Sequence, residues 1–140
     1  MIKVLSFGAA LALFSLLLAG AQGVIGGHFA DALRPDPMAI EMEAAFALYN
    51  PIWLDSRPEA AFEAGHLAGA YLLNEDEWEA GLDVLMQEWS PGRPVVVYCD
   101  GGGCAASRQV ALRLREEFQM EAVYWLVDGW DALESAGKVK

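Results

Sequence analysis

Apolar and polar positions in this chain change period several times after residue 38. Over 39–48, Ile40, Ala44, Ala45 and Leu48 recur at helical spacing and predict a helix, which Pro51 ends. Ile52-Trp53-Leu54 is a short continuous apolar run and predicts a buried strand. Ser56 followed by Pro58 predicts a cap and a first-turn proline, with Glu59 and Glu63 suiting a helix start and Gly65 its stop. Ala70-Tyr71-Leu72-Leu73 predicts a second strand. Asn74 then caps a helix over 75–89 that places Trp78, Leu82, Leu85 and Trp89 on one face. Pro91-Gly92-Arg93-Pro94 is a turn. Val95-Val96-Val97-Tyr98 is β-branched and uncharged, the pattern of a central strand. A helix over 106–118, a strand over 123–127 and a helix over 130–136 complete the chain.

Strands that are unbroken apolar runs, alternating with helices, predict an α/β domain over 39–140, with a central parallel sheet covered by helices on both faces. The segment before it has a different character. From Val4 to Ala30 there is no charged residue, and Lys3 stands just ahead of the run. Residues 1–30 therefore read either as one hydrophobic membrane-anchoring helix, or as a signal peptide with Ala19-Gly20-Ala21 as its cleavage site. Either reading puts the remainder outside the cytoplasm, secreted or periplasmic if the segment is cleaved, because Lys3 stays on the inner side. Residues 31–38, with Pro35 and Pro37, form a linker. There is no internal repeat.

Composition narrows the function. With 55% hydrophobic residues among 140, the chain is not a disordered one. It carries 20 acidic and 9 basic residues, a net charge of −11, which excludes a nucleic-acid partner that Lys and Arg would have to hold. Two cysteines and two histidines, His28 and His66, supply neither a disulfide framework nor an evident metal site, and no cofactor is implied.

In parallel α/β sheets, sites form in the loops at the carboxyl ends of the strands. After the best strand comes Cys99-Asp100-Gly101-Gly102-Gly103-Cys104, leading into a helix amino terminus. Unpaired N–H groups and the helix dipole favour an anion there, and the thiolate is the reactive form of cysteine. Three glycines allow backbone shapes that turn several N–H groups towards one centre. This arrangement suits a nucleophilic Cys99 whose adduct is anionic. The alternative is a glycine-rich turn around an inert, buried cysteine.

Four segments resemble the rhodanese homology domain, in the family's order and across roughly 48–137. Leu54-Asp55-Ser56-Arg57 is similar to its early Leu-Asp-x-Arg strand end. Gly65-His66-Leu67-Ala68-Gly69-Ala70 is similar to its Gly-His-Ile-x-Gly-Ala sequence. Val95 to Cys99 resembles the strand leading to the active-site cysteine, and Asp128-Gly129-Trp130 the closing Gly-Gly-Trp. The resemblance implies a sulfurtransferase. Cys99 would take a sulfane sulfur from a small donor as a persulfide and pass it to a thiol or other nucleophilic acceptor. Asp100, Gly101, Gly102, Gly103, Cys104 and Ala105 would then cradle the persulfide. Asp55, Arg57 and Arg108 are candidates for lining the site, with a structural ion pair or hydrogen bond as the alternative for Asp55 and Arg57.

The chain also departs from the family. Cys104-Ala105 stands where family loops often have Arg-Ser, and Ser107-Arg108 comes two positions later, so a longer or differently shaped loop is one expectation. Asp128 replaces a glycine. Asp100 beside the nucleophile and the missing loop arginine disfavour the thiosulfate dianion as donor. Cys104 admits three roles: a resolving thiol, the sulfur carrier itself, or a small buried residue. His66 is expected to satisfy backbone groups. Rival classes are a phosphatase, which needs arginine where Ala105 stands; a thiol–disulfide protein using Cys99 and Cys104; and a non-catalytic binding or sensing module.

Overall fold

The computed structural model describes residues 35–139. Its elements run β1 (Ala39–Ile40), α1 (Met42–Ala47), β2 (Ile52–Asp55), α2 (Glu59–Ala64), β3 (Tyr71–Leu72), α3 (Trp78–Glu88), β4 (Val95–Tyr98), α4 (Ala105–Phe118), β5 (Val123–Leu126) and α5 (Gly129–Ser135). The strands form one parallel sheet in the order β1-β5-β4-β2-β3, so the α/β expectation is met. The expected N-terminal hydrophobic helix lies outside the described residues. Among the described residues no helix is long and apolar enough to cross a membrane.

The period of two along each strand divides the core. Ile52, Leu54, Val95, Val97 and Val123 point to one side of the sheet, where they pack with Trp78 and Leu85 of α3 and Val110, Ala111 and Leu114 of α4. Trp53, Val96, Tyr98 and Leu126 point to the other side and pack with Ala45 of α1 and Leu133 of α5. Every residue of β2 and β4 is buried, as unbroken apolar runs require.

Three local expectations give way to tertiary contacts. The helix predicted over 39–48 begins only at Met42, because Ala39–Ile40 is drawn into the sheet edge. There Trp125 N–H donates to Met38 O and Val127 N–H to Ile40 O, at 2.8 and 3.0 Å. Ser56 does not cap α2: its hydroxyl donates to Tyr98 O at 2.9 Å, and Pro58 holds the cap position. The helix predicted from residue 75 starts at Trp78, after a turn in which Glu77 N–H donates to Asn74 Oδ1 at 2.7 Å.

Gly81 shows how closely α3 lies on β3. A Cβ built there would fall 2.5 Å from Leu72 O and 2.8 Å from Leu73 Cδ1. In an open helix Gly→Ala stabilises by about 1 kcal/mol, but overpacking costs about 1–3 kcal/mol. Gly81→Ala is therefore expected to destabilise the domain by about 1–2 kcal/mol. The urea midpoint checks this; a rise would show that α3 has room to move off β3.

Candidate active site

Register places the ends of β2 and β4 side by side, with Asp55 opposite Tyr98. The residues that follow each strand therefore meet. Ser56 N–H and Ser56 Oγ both reach Tyr98 O at 2.9 Å. On the other side, Trp130 N–H donates to Cys99 O at 2.6 Å. Gly129 sits so tightly over Cys99 that a Cβ would run into the Cys99 carbonyl, and its φ is +44°. The backbone around Cys99 is thus held from two directions before any side chain acts.

From Cys99 the chain reaches α4 in a short loop, and α4 begins at Ala105. Gly101, Gly102, Gly103 and Cys104 have φ of 113°, 64°, 108° and 48°, four successive residues with positive φ. Glycine occupies such conformations readily; Cys104 is the one side chain in the run that bears the strain. Gly101 lies against α5, where a Cβ would fall 2.5 Å from Asp131 Oδ2.

Cys99 and Cys104 are both free thiols, 6% and 3% exposed. Ser107 Oγ lies 3.4 Å from Cys99 Sγ and 3.1 Å from Cys104 O, so one buried hydroxyl on the first turn of α4 is within hydrogen-bond reach of both cysteines. Cys104 Sγ donates to Leu126 O at 3.5 Å, at the end of β5. Burial pushes the Cys104 thiol up to about 12, and hydrogen bonding and charge from neighbouring Cys99 add to the rise.

Arg57 is enclosed beside this loop. Its Nε and Nη2 grip both Asp55 carboxylate oxygens at 2.7–3.1 Å, and Nη2 also donates to Gly65 O at 2.7 Å. The guanidinium carbon lies 3.7 Å from the Trp130 ring centroid, and Nε is 4.0 Å from the exposed Asp100 carboxylate. Burial alone would lower the Arg57 pKa, but hydrogen bonding and attraction from Asp55 outweigh it and the net shift is upward. Tyr98 OH accepts a hydrogen bond from Leu67 N–H at 3.1 Å, and burial leads the upward shift of its phenol. Asp55, Arg57, Asp100 and Cys99 thus cluster at one end of the sheet. Arg108 is exposed on α4, with its guanidinium carbon 5.7 Å from the Trp125 ring centroid. His66 Nδ1 hydrogen-bonds Phe62 O at 2.9 Å, while its ring stacks on Phe62.

Ser107 was not singled out as a site residue from the sequence. Its one legible signal was its position, on the first turn of the helix that follows the glycines. Tyr98 and Trp130 wall in Arg57, a contact that neither the strand pattern around Tyr98 nor the closing segment around Trp130 indicated.

The domain is thus a parallel α/β sheet with a cysteine at the carboxyl end of its central strand and a tight loop running from it into a helix. A family model for the rhodanese-like domain matches residues 38–136, and the chain belongs to that family. The fold is similar to that of the BH2092 protein of Bacillus halodurans, at 15% identity and a TM-score of 0.59, over 84% of this chain and 85% of that one. The rhodanese-like domain of the Anabaena sp. Alr3790 protein, solved by NMR, is 19% identical with a TM-score of 0.56, over 75% of this chain and 80% of that one. A Rhodopseudomonas palustris protein, RPA3614, described as a possible tyrosine phosphatase, is 18% identical with a TM-score of 0.50, over 69% of this chain and 74% of that one. At these identities the likeness is one of fold.

The raised Cys104 thiol links folding to pH. Below about 9, its ordinary value, folded and unfolded chains both hold the proton; between about 9 and 12 only the folded chain does. Stability is therefore expected to fall as pH rises through this window, by on the order of 1 kcal/mol per pH unit. Urea midpoints at pH 8.5 and pH 10 should drop in the wild type and drop less in Cys104→Ala. Equal drops in both proteins would remove Cys104 as the cause.

Proposed function

We propose that the domain is a sulfurtransferase. The Cys99 thiolate attacks the outer sulfur of a sulfane donor. The donor's S–S bond breaks, its remaining part leaves with the electron pair, and Cys99 holds a persulfide. The terminal sulfur then passes to a nucleophilic acceptor, which regenerates the thiolate. Backbone N–H groups of residues 100–105, together with the α4 amino terminus, stabilise the negative persulfide. The observation that carries this reading is the place of Cys99, at the carboxyl end of β4, ahead of four positive-φ residues and a 14-residue helix.

Two features bear on the substrate. Asp100, Asp128 and Asp131 surround the loop, and no arginine or lysine lies within it. A dianion such as thiosulfate meets unfavourable charge there, so a monoanionic or neutral sulfane donor, such as a low-molecular-weight persulfide, suits the site better. A tyrosine-phosphatase reaction is disfavoured for a related reason: the position that would carry the phosphate-clamping arginine is Ala105.

Incubation with a small persulfide donor, followed by mass spectrometry, tests the assignment. The wild type should acquire one sulfur on Cys99 or release it as sulfide, whereas Cys99→Ser should do neither while remaining folded. Transfer retained by Cys99→Ser and lost by Cys104→Ser would move the carrier to Cys104. A wild type inert to every donor would leave a binding module.

Gly102 has open space around it but a φ of +64°, so a side chain there acts on the backbone and not on a neighbour. Gly102→Val should slow sulfur loading at least about tenfold, or roughly 1.4 kcal/mol of barrier. Its global stability should change much less than its rate. Unchanged loading in the folded variant would show that the loop's backbone shape does not matter to the reaction.

A further inference from the structure

Cys104 stands inside the site and is not used by the transfer just described. Cys99 is 6% and Cys104 3% exposed, so the two thiols are buried at the two ends of one short loop. Ser107 Oγ touches the Cys99 sulfur and the Cys104 carbonyl, and Cys99 acts on the Cys104 thiol through hydrogen bonding and charge. Between them, Gly102 and Gly103 have nothing within 4 Å of a Cβ position, so open space lies beside the middle of the loop that joins the two cysteines.

We propose that Cys104 is a resolving thiol, which discharges a persulfide on Cys99 as hydrogen sulfide and closes a Cys99–Cys104 disulfide. This rests on the sulfurtransferase reading above. In the step, Cys104 Sγ attacks Cys99 Sγ, the inner sulfur of the persulfide. The bond between that atom and the outer sulfur breaks, and the outer sulfur leaves with the electron pair. The Cys104 proton leaves with it, so the persulfide anion and the Cys104 thiol become a disulfide and HS⁻. The sulfane sulfur is reduced to sulfide as the two cysteines are oxidised. The outer sulfur of the persulfide anion takes the Cys104 proton as the attack begins, so the Cys104 thiolate is generated in place although its thiol pKa is raised. An external dithiol reductant returns the pair to thiols and completes the cycle.

The test is a single loading of the reduced wild-type protein with a small persulfide donor, without oxygen and without added reductant. After removal of excess donor, sulfide release, intact mass and alkylation of the denatured protein are followed. The expected result is one equivalent of sulfide per chain, no alkylatable cysteine, and a peptide linking Cys99 to Cys104. Cys104→Ser should keep the added sulfur at least about tenfold longer than the wild type. A wild type that keeps its persulfide, releases no sulfide and leaves Cys104 open to alkylation overturns the resolving role and leaves the sulfurtransferase standing. A wild type that gains no sulfur and releases no sulfide overturns both.

Discussion

The end of the sheet that carries the site is organised around the buried Arg57–Asp55 pair. Taking either charge out of water costs several kcal/mol, and that cost is offset only where every polar group finds a partner. Here Asp55 is completely buried and Arg57 is 5% exposed, yet the guanidinium is matched by both carboxylate oxygens, by Gly65 O and by the face of Trp130. One side chain thus joins the end of β2, the turn after α2 and the start of α5. Loss of either charge would strand the other in the core, at a typical cost of about 3–5 kcal/mol. The pair serves the site by position: Cys99 rests on strands whose ends these contacts hold in register.

Around that frame, rigidity and freedom are divided by residue type. Tyr98 O and Cys99 O accept short hydrogen bonds from Ser56 and Trp130, so the base of the site is fixed. The three glycines that follow adopt conformations that side chains resist, and two of them face open space. The thiol thus follows a fixed strand and precedes a loop whose backbone shape glycine adopts readily and other residues resist. The acidic loop surroundings and the embedded second cysteine set this site apart from one that holds an oxyanion through an arginine.

The amino-acid sequence by itself determined the alternation of strands and helices, because unbroken apolar runs such as Val95 to Tyr98 are stable only between two covering layers. It also singled out Cys99 as a candidate, at a strand end before three glycines and a helix, with an inert buried cysteine as the alternative. Asp55 and Arg57 were visible as a pair near a strand end, but not their enclosure by Tyr98 and Trp130, which come from segments more than 40 residues away. The tertiary structure decided that Ala39 and Ile40 join β5 in place of continuing a helix, because an exposed sheet edge offered them hydrogen bonds that their local helical spacing did not outweigh. It decided that Ser56 serves Tyr98 O and not a helix start. It also brought Ser107 to Cys99. Linear spacing shows which residues can form a turn or a strand; which buried donor meets which acceptor is settled only when the sheet register brings distant chain ends together, since an unpaired buried polar group costs more than a local preference is worth.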